Sequence, residues 1–142
     1  MFVIREYRYQ DLERILRMDG IPSQRRKDKF KFLECDNGPF YCYVAEEEEH
    51  GYIWGFIVME DLRDNFSHYM VQINVATRRK GIGRKLVERV FEKIGHGGHI
   101  SLCVNTDNKG AITFYESLGF KRSGFTEGYR KNQNKFWYQI DL

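Results

Sequence analysis

The chain has 142 residues, a formal net charge of +3 and 15% aromatic residues. A chain of this length forms one domain around a substantial core, so we expect a single domain over residues 1–142. The small charge does not imply bulk attraction to nucleic acid. No stretch approaches the length needed to span a membrane, and residues 1–6 lack the apolar core of a signal peptide.

Three cysteines, Cys35, Cys42 and Cys103, are odd in number and lack C-x-x-C spacing. This pattern indicates neither a disulfide framework nor a zinc site. We therefore expect a protein of the reducing cytoplasm that holds no metal.

Apolar periodicity and turn residues predict an alternation of strands and helices along the chain. The predicted strands are 2–7, 40–46, 52–61, 68–75, 100–104, 120–125 and 136–142, and the predicted helices are 11–18, one that opens at 21–23, one that begins at 82, and one within 105–120. The acidic run 46–49 is interpreted as a solvated hairpin tip. This order predicts a mixed α/β sheet.

The stretch 68–75 predicts a strand with one well-buried face, because Tyr69, Val71, Ile73 and Val75 occupy alternate positions. An amphipathic helix follows it. The residues expected on the buried face of that helix are Ile82, Leu86, Val87, Val90, Phe91 and Ile94.

The turn between this strand and this helix combines two glycines with five cations. Gly81 and Gly83 allow the backbone to approach an anion closely, and the helix N-terminus adds its positive dipole end. The cations are Arg78, Arg79, Lys80, Arg84 and Lys85. A mononucleotide P-loop and a dinucleotide fingerprint are both disfavoured, because neither spacing occurs here. On these residues alone, a tight turn with a solvated basic helix start remains the alternative.

A second motif follows the strand 100–104. Asn108 or Asp107 can cap a short helix, and Gly119 can close it in the left-handed conformation. The inner stripe of this helix is expected to contain Ala111, Ile112, Tyr115 and Leu118.

The two motifs in this order, R-x-x-G-x-G at 78–83 and N-x-x-A-I-x-F-Y-x-x-x-G-F at 108–120, resemble the GNAT superfamily of acetyl-CoA-dependent N-acetyltransferases. The resemblance is strongest over 68–125. It implies a GNAT-like fold, a mixed and mostly antiparallel sheet with flanking helices. It also implies acetyl-CoA as cosubstrate and an amine as acceptor, in a monomer or a homodimer, with neither a membrane nor a nucleic acid as partner.

The resemblance also assigns residues to the coenzyme. The glycine turn would bind the pyrophosphate, and the pantetheine arm would extend the sheet edge where strand 68–75 splays from the strand near 99–104. The residues implied in cofactor binding are Ile73, Val75, Arg78, Arg79, Lys80, Gly81, Ile82, Gly83, Arg84, Lys85, Asn108 and Tyr115.

Tyr115 is the implied general acid, since a phenol can protonate the departing sulfur; the alternative is that it only packs. The general base is harder to assign, because Tyr69 occupies the position where family members often have a glutamate. His68 is the tentative base on its ordinary pKa, although a histidine at a strand start commonly faces solvent. Glu60, Asp61 and a water chain are alternatives.

Two other functions remain open. A non-catalytic acyl-CoA sensor would keep the phosphate turn and lack turnover. A nucleic-acid-binding module would use the basic stretches 25–31 and 78–85. Acceptor specificity is expected to come from residues near 19–35 and 128–135.

Overall fold

The computed structural model describes residues 1–18, 38–76, 81–128 and 133–142. Its elements are β1 (Phe2–Glu6), a 3₁₀ turn (Tyr9–Asp11), α1 (Leu12–Met18), β2 (Phe40–Glu47), β3 (Ile53–Asp61), β4 (Ser67–Val75), α2 (Ile82–Ile94), β5 (His99–Asn105), α3 (Lys109–Ser117), β6 (Lys121–Thr126) and β7 (Lys135–Asp141). The helix predicted to open at 21–23 lies outside the described residues.

All seven strands form one sheet in the order β1-β2-β3-β4-β5-β7-β6. Every neighbouring pair is antiparallel except β4 and β5, which are parallel. The predicted mixed, mostly antiparallel α/β fold is confirmed.

The parallel pair of β4 and β5 opens partway along its length. Its register runs from Ser67 opposite His99 to Tyr69 opposite Ser101, although β4 continues to Val75 and β5 to Asn105. The two strands therefore separate after Tyr69, as the resemblance implied. Strand edges that lack a neighbour can bind an extended, peptide-like ligand through their backbone.

A β-bulge in β4 breaks the alternation of buried side chains that the sequence predicts. Val58 pairs with Gln72 while Met59 pairs with Met70, so Val71 is the extra residue. A bulge shifts the alternation of side chains. Ile73 packs with one core cluster and Val71 with the other, and the prediction of one shared face for Tyr69, Val71, Ile73 and Val75 is wrong.

The two clusters lie on opposite faces of the sheet. The α1 face joins the inner side of α1 to residues of β2 and β3; its buried members are Leu12, Ile15, Leu16, Cys42, Val44, Ile53, Phe56 and Val58. The opposite face packs α2 and α3 against the sheet and includes Ile57, Met70, Leu86, Ile100 and Tyr115. The predicted inner face of α2 is confirmed, with Ile82, Leu86, Val87 and Val90 buried.

The acidic run 46–49 is only partly a solvated tip. Glu46 accepts a hydrogen bond from Arg5 Nε at 3.0 Å. Glu47 is buried and accepts hydrogen bonds from the backbone amides of Glu49 and His50 at 2.7 and 2.8 Å. Two of the four carboxylates thus accept hydrogen bonds within the fold. Among the described helices, none is long and apolar enough to cross a membrane.

Candidate functional site

The N-terminus of α2 depends on the backbone conformation of Gly81. Its φ of 66° and ψ of 23° lie in the left-handed region that glycine favours. The first hydrogen bond of the helix runs from the Lys85 amide to the Gly81 carbonyl at 3.1 Å. The amides of Ile82, Gly83 and Arg84 precede that bond and have no partner within the helix. Such a helix start attracts anions.

Gly83 serves a different purpose, because it lets α2 approach α3 closely. A Cβ at this position would lie 3.1 Å from Phe114 Cζ, closer than ordinary van der Waals contact. One residue on, Arg84 Nη2 lies 3.4 Å from Ser117 Oγ near the end of α3. The start of α2 is thus packed against α3.

Asn108 caps α3, as predicted. Its Oδ1 accepts a hydrogen bond from the Ala111 amide at 3.2 Å. This cap uses the side-chain oxygen and leaves the amide NH₂ group available to a ligand. At the other end Gly119 has a φ of 101°, and the Phe120 amide donates to the Tyr115 carbonyl at 3.1 Å. Both ends of this short helix are therefore fixed.

These elements surround a cavity of about 470 Å³ beside the opening between β4 and β5. The lining residues are Ile73, Asn74, Val75, Gly81, Ile82, Gly83, Arg84, Asn108, Gly110, Ala111, Phe114 and Tyr115. Eight of them were predicted from the sequence to contact one ligand. Two motifs that lie 25 residues apart between Gly83 and Asn108 thus line a single site.

Four lining residues were not assigned to the site from the sequence: Asn74, Gly110, Ala111 and Phe114. Ala111 packs against the core cluster, as expected for the inner stripe of α3, and also lines the cavity wall. Gly110 and Ala111 are small residues in the first turn of α3. Small side chains let a ligand approach the backbone closely, so this pair could have indicated the site from the sequence. Nothing in the pattern distinguishes Asn74 from an ordinary strand residue.

The predicted cations are only partly described. Arg84 lines the cavity, whereas Lys85 is not among its lining residues and lies 3.9 Å from Glu88 on the surface of α2. Arg78, Arg79 and Lys80 lie outside the described residues.

Tyr115 lies at the inner end of α3 and is 8% exposed. Its ring centroid is 5.5 Å from that of Phe114 and 5.9 Å from that of Phe120. Burial, with a smaller contribution from Cys103, raises the pKa of Tyr115 to about 12. Among the described residues its hydroxyl has no hydrogen-bond partner. A protonated phenol on a cavity wall can donate to a ligand atom that gains negative charge.

His68 does not face solvent, contrary to the interpretation of its strand-start position. It is 8% exposed, and its Nδ1 lies 2.8 Å from the Tyr41 hydroxyl. Burial lowers the pKa of His68, against a smaller opposing effect of Asp61. The cavity-lining residues do not include it. Its role as base stays a prediction.

On the α1 face, Tyr69 reaches across the point where the strands separate. Its hydroxyl lies 3.2 Å from Cys103 Sγ, and its ring centroid is 6.2 Å from that of Trp137. Glu60 is its direct neighbour on β3. Burial raises the pKa of Tyr69 well above its ordinary value, and Cys103 and Glu60 add to the rise.

Comparison with known proteins agrees with this geometry. Residues 38–122 match the family model described as an acetyltransferase (GNAT) domain. Over 61 residues the chain is 34% identical to the N-alpha-acetyltransferase RimI of Mycobacterium tuberculosis, covering 43% of this chain and 38% of that protein. Over 83 residues it is 26% identical to the [ribosomal protein bS18]-alanine N-acetyltransferase of Escherichia coli, covering 57% of this chain and 56% of that protein.

The chain thus spans little more than half the length, or less, of the curated relatives it matches. Among solved structures, a Bacillus anthracis protein in complex with acetyl coenzyme A aligns with 100% of this chain and 99% of its own, with a TM-score of 0.77 and 22% identity. That likeness supports the fold. Because the family model covers more than half of the sequence, the chain belongs to the GNAT acetyltransferase family.

Proposed function

We propose that this chain is a single-domain N-acetyltransferase that moves an acetyl group from acetyl-CoA to a primary amine. The observation that carries the proposal is the convergence on one cavity of the β4 edge, the α2 N-terminus, Asn108 and Tyr115. Both motifs of the resemblance contribute to that wall. A reducing cytoplasm is the location we propose with it.

The phosphate end of the coenzyme belongs at the start of α2. There the free amides of the first turn and the guanidinium of Arg84 supply hydrogen-bond donors and positive charge. Arg78, Arg79 and Lys80 precede that turn in the sequence and would add charge. From the helix start the pantetheine arm follows Val75 and Ile73 along β4, whose edge beyond Tyr69 has no register partner on β5.

The thioester then lies beside Tyr115. Direct attack by a neutral amine forms the new C–N bond and breaks the C–S bond, and the sulfur leaves as a thiolate. The Tyr115 hydroxyl donates its proton to that thiolate. An ordinary phenol is already protonated at neutral pH, and burial raises the pKa of Tyr115 further, so the proton is in place when the sulfur departs.

A base must take the proton that the amine gives up, and we propose Glu60 for this role. Glu60 lies opposite Tyr69 on the face that carries Cys103. Tyr115 lies on the other face. The amine would therefore lose its proton on one side of the sheet while the sulfur gains one on the other. His68 and Asp61 pair with each other on the α2 face, where Tyr41 contacts His68.

The acceptor is proposed only as a class. The named relatives are an N-alpha-acetyltransferase and a [ribosomal protein bS18]-alanine N-acetyltransferase. A peptide amino terminus is therefore the first acceptor to test, before polyamines and other small amines.

Thermal unfolding with and without acetyl-CoA tests donor binding. At about a hundred times its Kd, acetyl-CoA should stabilise the fold by about 2.7 kcal/mol, a rise in Tm of about 8 °C. An unchanged Tm would remove both the enzyme and the acyl-CoA sensor. A shift in Tm without thiol release from any amine in the panel would favour the sensor.

Thiol release also tests the base. Glu60→Gln should slow turnover by about a hundredfold, whereas Glu92→Gln, on the exposed face of α2, should not. An equally large loss in His68→Gln with Glu60→Gln active would transfer the role to His68.

A further inference from the structure

Three side chains from three strands meet on the α1 face where β4 and β5 separate. Tyr69 is the last residue of β4 in register with β5, and Cys103 lies two residues beyond its partner Ser101. Trp137 is opposite Cys103 on β7. We call Tyr69, Cys103 and Trp137 the apex cluster.

The apex cluster is held in place at both ends. The Tyr69 hydroxyl lies 3.2 Å from Cys103 Sγ, so this side chain bridges the first residues of the opening. Trp137 Nε1 donates a hydrogen bond to Thr126 Oγ1 at 2.8 Å, which fixes the indole over β6. The rings of Tyr69 and Trp137 are 6.2 Å apart. Neither ring can turn aside without loss of a polar contact.

The cluster lies at the inner end of the cofactor path. Along β4 the cavity is lined by residues 73–75, and the strand then runs back towards Tyr69, where the opening closes. Tyr115 ends the cavity on the other face. Cys103 follows the last β5 residue in register with β4, so its contact with the Tyr69 hydroxyl closes the inner end of the opening. A group that continues along the β4 edge from residue 73 towards residue 69 would therefore approach the apex cluster.

Resting on the proposed function, we propose that the apex cluster selects the length of the acyl group and restricts the donor to acetyl-CoA. The coenzyme enters from the α2 end, so the acyl chain points towards the closed end of the opening. An acetyl group ends beside Tyr115. Each further methylene must enter space that the Tyr69 ring and the Cys103 thiol occupy, and a packed interior accommodates added volume poorly.

Binding of two acyl-CoA esters tests this selection without an acceptor. Isothermal titration calorimetry should show acetyl-CoA binding the unaltered protein about tenfold more tightly than butyryl-CoA, the discrimination expected from a few methylenes. Tyr69→Ala removes the ring and should abolish that preference. Tyr69→Phe keeps the ring, loses the hydroxyl and should retain it. If Tyr69→Ala fails to fold, Tyr69→Leu removes the ring with less loss of volume.

Three outcomes would overturn the proposal: equal affinity for both esters in the unaltered protein, an unchanged preference after removal of the ring, or a preference lost equally in Tyr69→Phe. The last would assign selection to the hydroxyl and not to the ring. Failure of the proposed function is distinct, because neither ester would then bind to the unaltered protein at all.

Discussion

The two faces of the sheet are stabilised in different ways. On one face α2 has 13 residues, and with α3 it packs a wide apolar cluster against the sheet. On the other face α1 has seven residues, too short to be stable alone, and buries only Leu12, Ile15 and Leu16. The first face can leave a cavity open beside the β4–β5 opening, because its helices are anchored elsewhere by apolar contacts.

The α1 face adds a part-buried ion pair to its apolar cluster. Arg5 donates to both carboxylate oxygens of Asp11 at 2.8 Å, and the Arg8 amide donates to the same carboxylate at 2.8 Å. Burial alone would raise the pKa of Asp11, but the hydrogen bonds from Arg5 and Arg8 outweigh it and hold that pKa below its ordinary value. Apolar packing thus organises the face that carries the cavity, whereas on the α1 face an ion pair supplements a smaller apolar cluster.

Removal of the Asp11 carboxylate should have the largest effect on the free energy of unfolding. Asp11→Ala leaves Arg5, whose side chain is 16% exposed, without its main partner. Loss of one member of a buried pair costs about 3 kcal/mol of unfolding free energy. Urea unfolding measures it, with the exposed Asp64→Ala as control. A loss below about 1 kcal/mol would mean that Glu46 alone satisfies Arg5 and that apolar contacts hold this face as well.

On the opposite face, Tyr115→Phe separates chemistry from packing. The ring contacts with Phe114 and Phe120 remain, so the fold and acetyl-CoA affinity should change little. Turnover should fall about a hundredfold, equivalent to about 2.7 kcal/mol, because the departing sulfur loses its proton donor. Initial rates of thiol release and titration with acetyl-CoA measure the two quantities.

The matched control for Tyr115→Phe is Tyr52→Phe. Tyr52 is 62% exposed and does not line the cavity. An unchanged rate in Tyr115→Phe would mean that Tyr115 only packs in the core and does not act as the general acid.

Gly81→Val should weaken acetyl-CoA binding by about tenfold. A side chain at Gly81 would meet no heavy atom within 4 Å among the described residues, so the obstacle is the left-handed backbone, which a β-branched residue adopts only at a cost of about 1–2 kcal/mol. Gly81→Asn is the matched control, since asparagine tolerates this conformation. Calorimetric Kd values compare the two variants. Equal affinities would show that the conformation of Gly81 does not organise the site.

Local patterns and long-range polar pairing differ in how well the sequence predicts them. The buried stripe of α2 and the cap at Asn108 follow from helical periodicity and from local hydrogen bonding, and both were predicted correctly. The burial of Asp11, Glu47 and His68 was not predicted. Their partners, such as Arg5 for Asp11 and Tyr41 for His68, are chosen by the pairing of strands, which no local pattern encodes.

The bulge at Val71 shows the same limit within one strand. Alternate apolar residues predict a single buried face, but one extra residue redirects the side chains on either side of it. The sequence alone leaves the general base open for this reason. Which face a carboxylate or an imidazole occupies depends on a register that becomes known only once β3 and β4 are paired.

The smallest expected effect concerns His68, a polar group buried on the face that packing otherwise organises. Burial lowers its pKa below the ordinary 6.5, with Asp61 opposing that change and Lys93 adding to it. The unfolded chain therefore binds a proton at a higher pH than the folded chain does. As the pH falls below about 6.5 the folded state loses stability, until the lowered pKa is passed. Above that range no such loss occurs.

His68→Gln removes this titration while an amide can still contact the Tyr41 hydroxyl. Between pH 7.5 and pH 5 the unaltered protein should therefore lose unfolding free energy relative to His68→Gln, as urea unfolding at each pH would measure. Exposed His96→Gln should follow the unaltered protein. A parallel pH dependence of His68→Gln and the unaltered protein would mean that His68 can take up a proton where it lies. Both faces of the sheet would then hold a charged side chain in a buried position. The two faces would differ only in the Arg5–Asp11 ion pair of the α1 face.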